Sequence, residues 1–85
     1  MHDECLKEIY DCLSPEARKV FAVLSNSPEG HSIEELMQAA RLSTHRVRVA
    51  LAELRGATLV TRSTPACLTA NGRQLREILK AAARY

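Results

Sequence analysis

Apolar residues recur at i, i+3, i+4 and i+7 in five separate segments of the chain. The sets are Leu6, Ile9, Tyr10 and Leu13; Ala17, Val20, Phe21 and Leu24; Ile33, Leu36, Met37 and Ala40; Val47, Ala50, Leu51 and Leu54; and Leu75, Ile78, Leu79 and Ala82. At 3.6 residues per turn this spacing gathers each set on one face, so each segment predicts an amphipathic helix with a single buried stripe. The residues just before the stripes supply caps. Ser14 followed by Pro15 is an N-cap hydroxyl with proline at the first helical position, where a missing N–H does no harm. Ser32 and Glu35 have the spacing of a capping box, and Ser43 and Thr69 are placed to cap the last two segments. The turn formers of SNSPEGH close the second segment as a loop.

One stretch escapes the helical spacing. Residues 57–69 read ATLVTRSTPACLT, in which two short runs, LVTR and ACLT, flank a turn containing Pro65. Such runs predict a β-hairpin, with the proline tolerable at its tip or on an edge. The expected architecture is therefore mostly α with a small β-hairpin wing. It comprises an N-terminal helix (1–13), a three-helix core (14–56), the wing (57–69) and a C-terminal helix (70–85). The turn between the third and fourth segments lies within AARLS, and a turn that short sets two helices at a steep angle, as in a helix-turn-helix.

At 85 residues there is room for one domain. A domain of this size buries only about 60% of the surface its unfolded chain exposes. The stripes of the first and last helices are therefore expected to be covered further by a second copy, as a homodimer. No apolar run approaches the roughly 20 residues a bilayer span requires, and the N-terminus is acidic rather than a secretory leader, so a cytoplasmic protein without a membrane partner is expected. Cys5, Cys12 and Cys67 form no CxxC pair. On one helix Cys5 and Cys12 stand roughly 10.5 Å apart, too far for a disulfide. The cysteines, with His2, match no standard zinc spacing. There is no phosphate-cradling glycine loop, no HExxH, and no nucleophile–base set that the helices would bring together, so no enzyme, metal or cofactor is expected. Aromatic residues make up 4% and tryptophan is absent, which argues against base stacking on aromatic platforms.

The segment HSIEELMQAARLSTHRVRVALAELRGATLVTRSTPACLTANGRQL, residues 31–75, resembles the winged helix-turn-helix core of small prokaryotic regulators of the MarR, ArsR and PadR type. Three landmarks carry the resemblance. SIEEL leads through Leu42 and Ser43 into a helix. Leu51, Leu54, Leu59 and Val60 have the spacing LxxLxxxxLV. LTANGRQL matches the LTxxGxxL that closes the wing and opens the next helix. The family commonly has glycine where this chain has Arg41 and Thr58, and Gly56 offers an alternative near the second position. The resemblance implies double-stranded DNA as partner, read in the major groove by helix 43–55, and a role as a transcriptional regulator, most simply a repressor.

Charge patterning agrees with that implication more than the net charge of +2 does. Residues 41–85 hold nine basic against two acidic residues, a net of +7, whereas residues 1–40 hold three against eight, a net of −5. Phosphate neutralisation supplies much of nucleic-acid affinity. With the fourth stripe turned inward, Thr44, His45, Arg46, Arg48 and Val49 face out at the helix end that enters the groove in helix-turn-helix docking. Arg46 and Arg48 suit guanine edges, Thr44 a phosphate or thymine methyl, and His45 a donor or acceptor. Ser43 and the first-turn amides suit a phosphate, and Arg62 in the wing is expected to meet another. The alternative is a winged helix used for protein contacts within a larger assembly, which would require an exposed apolar patch.

Overall fold

A computed structural model describes residues 2–26, 29–63 and 65–83. Five helices follow in order: α1 (Asp3–Asp11), α2 (Pro15–Ser25), α3 (Ile33–Ala40), α4 (Thr44–Gly56) and α5 (Ala70–Ala82). Arg84 and Tyr85, counted in the expected last helix and its charge, and Thr64 in the expected hairpin turn, lie outside the described residues, as does Met1. No helix among the described residues is long and apolar enough to cross a membrane.

The caps form where the hydroxyls predict them. Ser14 accepts from the Ala17 amide, Ser43 from that of Arg46 and Thr69 from that of Gly72. Ser32 and Glu35 close a full capping box. The Ser32 backbone amide, then its hydroxyl, hold the Glu35 carboxyl below the usual carboxylate range. Because that acid is stronger in the folded chain, the box is intact at neutral pH and is lost as the pH falls through the lowered value.

Packing follows the stripes. All four stripe residues of α2 and all four of α4 are buried, and α4 lies against both α2 and α3. The α1 and α5 stripes face each other: Leu6, Leu13 and Leu75 are buried, whereas Ile9, Tyr10, Ile78 and Leu79 are partly covered. The two helices are also tied by Gln74 Nε2, which donates to Asp3 Oδ1 at 2.8 Å.

The expected wing is not formed. The described residues contain no strand, and residues 57–69 make only two isolated antiparallel bridges, Val60 with Leu68 and His31 with Ala66. The hydrogen bonds explain why the ladder stops. Thr61 N–H donates to the Cys67 carbonyl at 2.9 Å, but the return bond is diverted. The Cys67 amide donates to the Thr61 hydroxyl, and the Thr61 carbonyl instead accepts from Arg55 Nε at 3.1 Å. Ala66 exchanges both of its backbone bonds with His31, ahead of α3, so the second run is shared between two neighbours. Leu59, Val60, Ala66 and Leu68 are buried, and the segment lies down on the helices. The fold is all-helical.

Both positions where glycine was missing take left-handed backbone nonetheless: Arg41 has φ 57° and Thr58 φ 61°. Each ends a helix. The Leu42 amide returns to the Met37 carbonyl and the Leu59 amide to the Leu54 carbonyl, the six-residue closure of a Schellman turn. Gly56 does not substitute, because it remains the last residue of α4. A left-handed non-glycine residue costs about 1–2 kcal/mol. Thr58 is held there from α5, since its carbonyl accepts from the Thr69 hydroxyl and its own hydroxyl accepts from Asn71 Nδ2 at 3.0 Å.

Two further contacts position the helices. Glu53 on α4 accepts at the α2 N-terminus twice: from the Ser14 amide at 2.7 Å on Oε2, and from the Ser14 hydroxyl at 2.9 Å on Oε1. A carboxylate there also meets the positive end of the α2 dipole. At Gly72 the first turn of α5 rests on the 57–69 segment, so closely that an added Cβ would collide with the Leu59 carbonyl oxygen. Backbone there cannot swing aside, so Gly72→Ala is expected to destabilise the fold by about 1–3 kcal/mol in chemical denaturation, the ordinary range for overpacking. Gly56→Ala meets nothing within 4 Å and should instead stabilise by up to about 1 kcal/mol, through helix propensity. For the clamp, Glu53→Ala is expected to lose about 1.5–3 kcal/mol. A double-mutant cycle with Ser14→Ala should show coupling of at least about 0.5 kcal/mol; additive losses would show the clamp to be incidental.

Candidate nucleic-acid interface

The inward stripe of α4, Val47, Ala50, Leu51 and Leu54, is at most 2% exposed. That burial fixes the rotation of the helix, and Ser43, Thr44, His45, Arg46, Arg48 and Val49 are all exposed along its N-terminal half. Five of the six expected contact residues, Ser43, Thr44, His45, Arg46 and Arg48, are therefore exposed around the same helix end, with the exposed Arg41 at the turn leading into it. The first turn of α4 carries no acidic side chain.

Local bonds already engage part of this surface. The Ser43 hydroxyl caps the helix by accepting from the Arg46 amide at 3.3 Å, and the Thr44 hydroxyl donates to Met37 Sδ at 3.1 Å. The Thr44 and His45 amides, at the first two helical positions, have no intrahelical acceptor and point outward. Arg46 lies 3.8 Å from Glu16 of α2, with 64% and 37% of the two side chains exposed. A solvated pair of this kind is worth about 0–1 kcal/mol, so it orients the guanidinium without sequestering it. No ion pair is recorded for Arg48 among the described residues.

Arg62 is exposed but belongs elsewhere. It follows Thr61, whose carbonyl is held by Arg55 in the last turn of α4, so it is attached at the opposite end of the helix from Ser43–Arg48. The sequence also gave no sign of Glu16 as a neighbour of the site. The division into an acidic first half and a basic second half is a division along the chain only. In space α2 packs on α4, and an acid from the first half meets an arginine from the second. The signal that could have found it is the α2 stripe itself, since Glu16 precedes Ala17 and shares the helix end that faces α4.

Val49, 52% exposed, is the one large hydrophobic residue exposed among the described residues, and it shares a shallow cleft with Ser14, Glu16, His45, Arg46 and Glu53. Cys5, Cys12 and Cys67 are free thiols, and the described residues contain no group of three or more His, Cys, Asp or Glu able to hold a metal ion. Comparison with family models, with curated proteins and with solved structures finds no match to this chain.

Proposed function

We propose that this protein binds double-stranded DNA by laying the N-terminal half of α4 in the major groove, and that it acts in the cytoplasm as a transcriptional regulator of the kind its residues resemble, most simply a repressor. The observation that carries the reading is the joint exposure of His45, Arg46 and Arg48 on a helix whose opposite face is fully buried. Arg46 and Arg48 supply bidentate donors for guanine edges, the Thr44 side chain an apolar or phosphate contact, and the first-turn amides a phosphate site. Arg62 would add a backbone contact distant from the base-reading end. Two copies joined through the part-covered Ile9 of α1 and Ile78 of α5 would read symmetric half-sites about one DNA turn apart. The exposure of Val49 supports a second reading, in which the same face docks a protein.

Fluorescence anisotropy on duplex DNA across a salt series separates the two. Affinity is expected to fall steeply with salt, by about 0.9 log unit per phosphate contact per log unit of salt. The double variant Arg46→Ala, Arg48→Ala should bind at least about tenfold more weakly. Absence of binding at low salt, or binding indifferent to both arginines, would sink the DNA reading and leave the face around Val49 as a protein contact.

A further inference from the structure

A groove of about 260 Å³ runs between α2 and α5 beside the end of α1, and none of its lining residues belongs to α4. Its floor is apolar: Tyr10, Phe21 and Leu79, with the Tyr10 ring edge-on to Phe21 at a centroid distance of 6.1 Å. Its rim is basic, with Arg18, Arg76 and Lys80 and no Asp or Glu among the described lining residues. Arg18 is preset by two carbonyls at the end of α1. Nε donates to Tyr10 at 3.2 Å and Nη2 to Asp11 at 2.8 Å, and its Cζ stands 4.9 Å from the Tyr10 ring centroid. Arg76 is 22% exposed at its side chain and Lys80 58%; both neighbour the single carboxylate of Glu77, at 3.2 and 4.0 Å. One acid shared between two cations leaves the rim positive.

We propose that this groove docks an acidic amphipathic helix of a partner protein, with its apolar side chains on the Tyr10, Phe21 and Leu79 floor and its carboxylates against Arg18, Arg76 and Lys80. The inference is independent of any role for α4. Shape supports a helix: the lining positions 18, 21, 22 and 25 on α2, and 76, 79, 80 and 83 along α5, each follow the i, i+3 or i+4, i+7 spacing. The trough thus follows both helices for about two turns, roughly 10.5 Å, which matches the i to i+7 anchors of a third helix laid in a groove. Ala22 and Ala83, both exposed, keep the walls low enough for a backbone to approach. Volume argues against a dedicated small-molecule site, since 260 Å³ falls below the about 300–1,000 Å³ of such pockets. Charge selects the partner's sign.

The test uses a labelled amphipathic peptide with leucines at i, i+3, i+4 and i+7 and glutamates on its other faces, titrated against the full chain. Controls are the same peptide with lysines for glutamates, a scrambled glutamate peptide, and octanoate. Saturable binding is expected for the patterned acidic peptide alone. The variant Arg76→Ala, Lys80→Ala should weaken it about five- to tenfold, a few-fold per charge pair. Ala22→Glu, a change at an exposed helix position, should abolish binding while the circular dichroism melt stays unchanged. No binding by the patterned acidic peptide overturns the proposal. So does equal binding by the scrambled one, which would mean plain charge attraction, or saturable binding of octanoate alone, which would mean a small-anion site. Indifference to both variants overturns it as well.

Discussion

The seam between α2 and α4 is the constraint on which the rest of this small fold depends. Each helix contributes four fully inward residues, and with so short a chain no other pair of elements buries two complete stripes. A stripe alone fixes rotation about the helix axis but leaves sliding along it weakly determined. The Glu53 carboxylate supplies the missing coordinate. By accepting from both the amide and the hydroxyl of Ser14, it registers the last turn of α4 on the N-cap of α2. Which face of α4 is available to a partner follows from the rotation that its buried stripe sets, and how far along α2 that face sits follows from the Glu53 contact. Were α4 turned by one residue, about 100°, Arg48 would move toward the core and Val47 toward solvent.

The helices were legible because their determinants are local. Five stripes and four hydroxyl caps each lie within one or two turns of sequence, and all four caps form where their hydroxyls stand. The wing was misread because a strand is defined by its neighbours. LVTR and ACLT have suitable composition, yet a two-stranded ladder requires both backbone bonds of each hydrogen-bonded pair, and here two competitors divert them. Arg55 takes the Thr61 carbonyl and the Thr61 hydroxyl takes the Cys67 amide, while Ala66 bonds His31 on the side away from the first run. Of the two competitors only the Thr61 hydroxyl could be foreseen from the run itself; Arg55 arrives from elsewhere in the chain. The landmark LTANGRQL nevertheless has a physical reason here, since Thr69 caps α5 and Gly72 gives room for the Leu59 carbonyl.

The candidate site was legible to the same degree and for the same reason. Ser43, Thr44, His45, Arg46 and Arg48 share one helix end and lie outside its buried stripe, so their exposure follows from periodicity. Arg62 depended on the geometry of the wing and separated from the others when the wing did not form. Glu16 was invisible because its approach to Arg46 is a product of the α2–α4 seam. The same seam means that the charge asymmetry of the sequence does not map onto two poles of the molecule. Arg76 and Lys80 of α5 line a separate groove that α4 does not share.

The two left-handed residues are unequal in what they return for their strain. At a total stability of about 5–15 kcal/mol, two positions each costing about 1–2 kcal/mol are a substantial fraction. Thr58 recovers part of this through its bonds to Thr69 and Asn71, which fasten α5 to the end of α4. Arg41 recovers nothing comparable: it is exposed, and its side chain has no recorded hydrogen bond or ion pair among the described residues. Glycine would make the same turn without the strain, so the structural role of the position does not account for an arginine. What arginine adds is a cation at the entrance to α4, beside Ser43 and the outward amides of its first turn. Strain at a surface turn is thereby tied to the same helix end that the exposure of His45, Arg46 and Arg48 singles out.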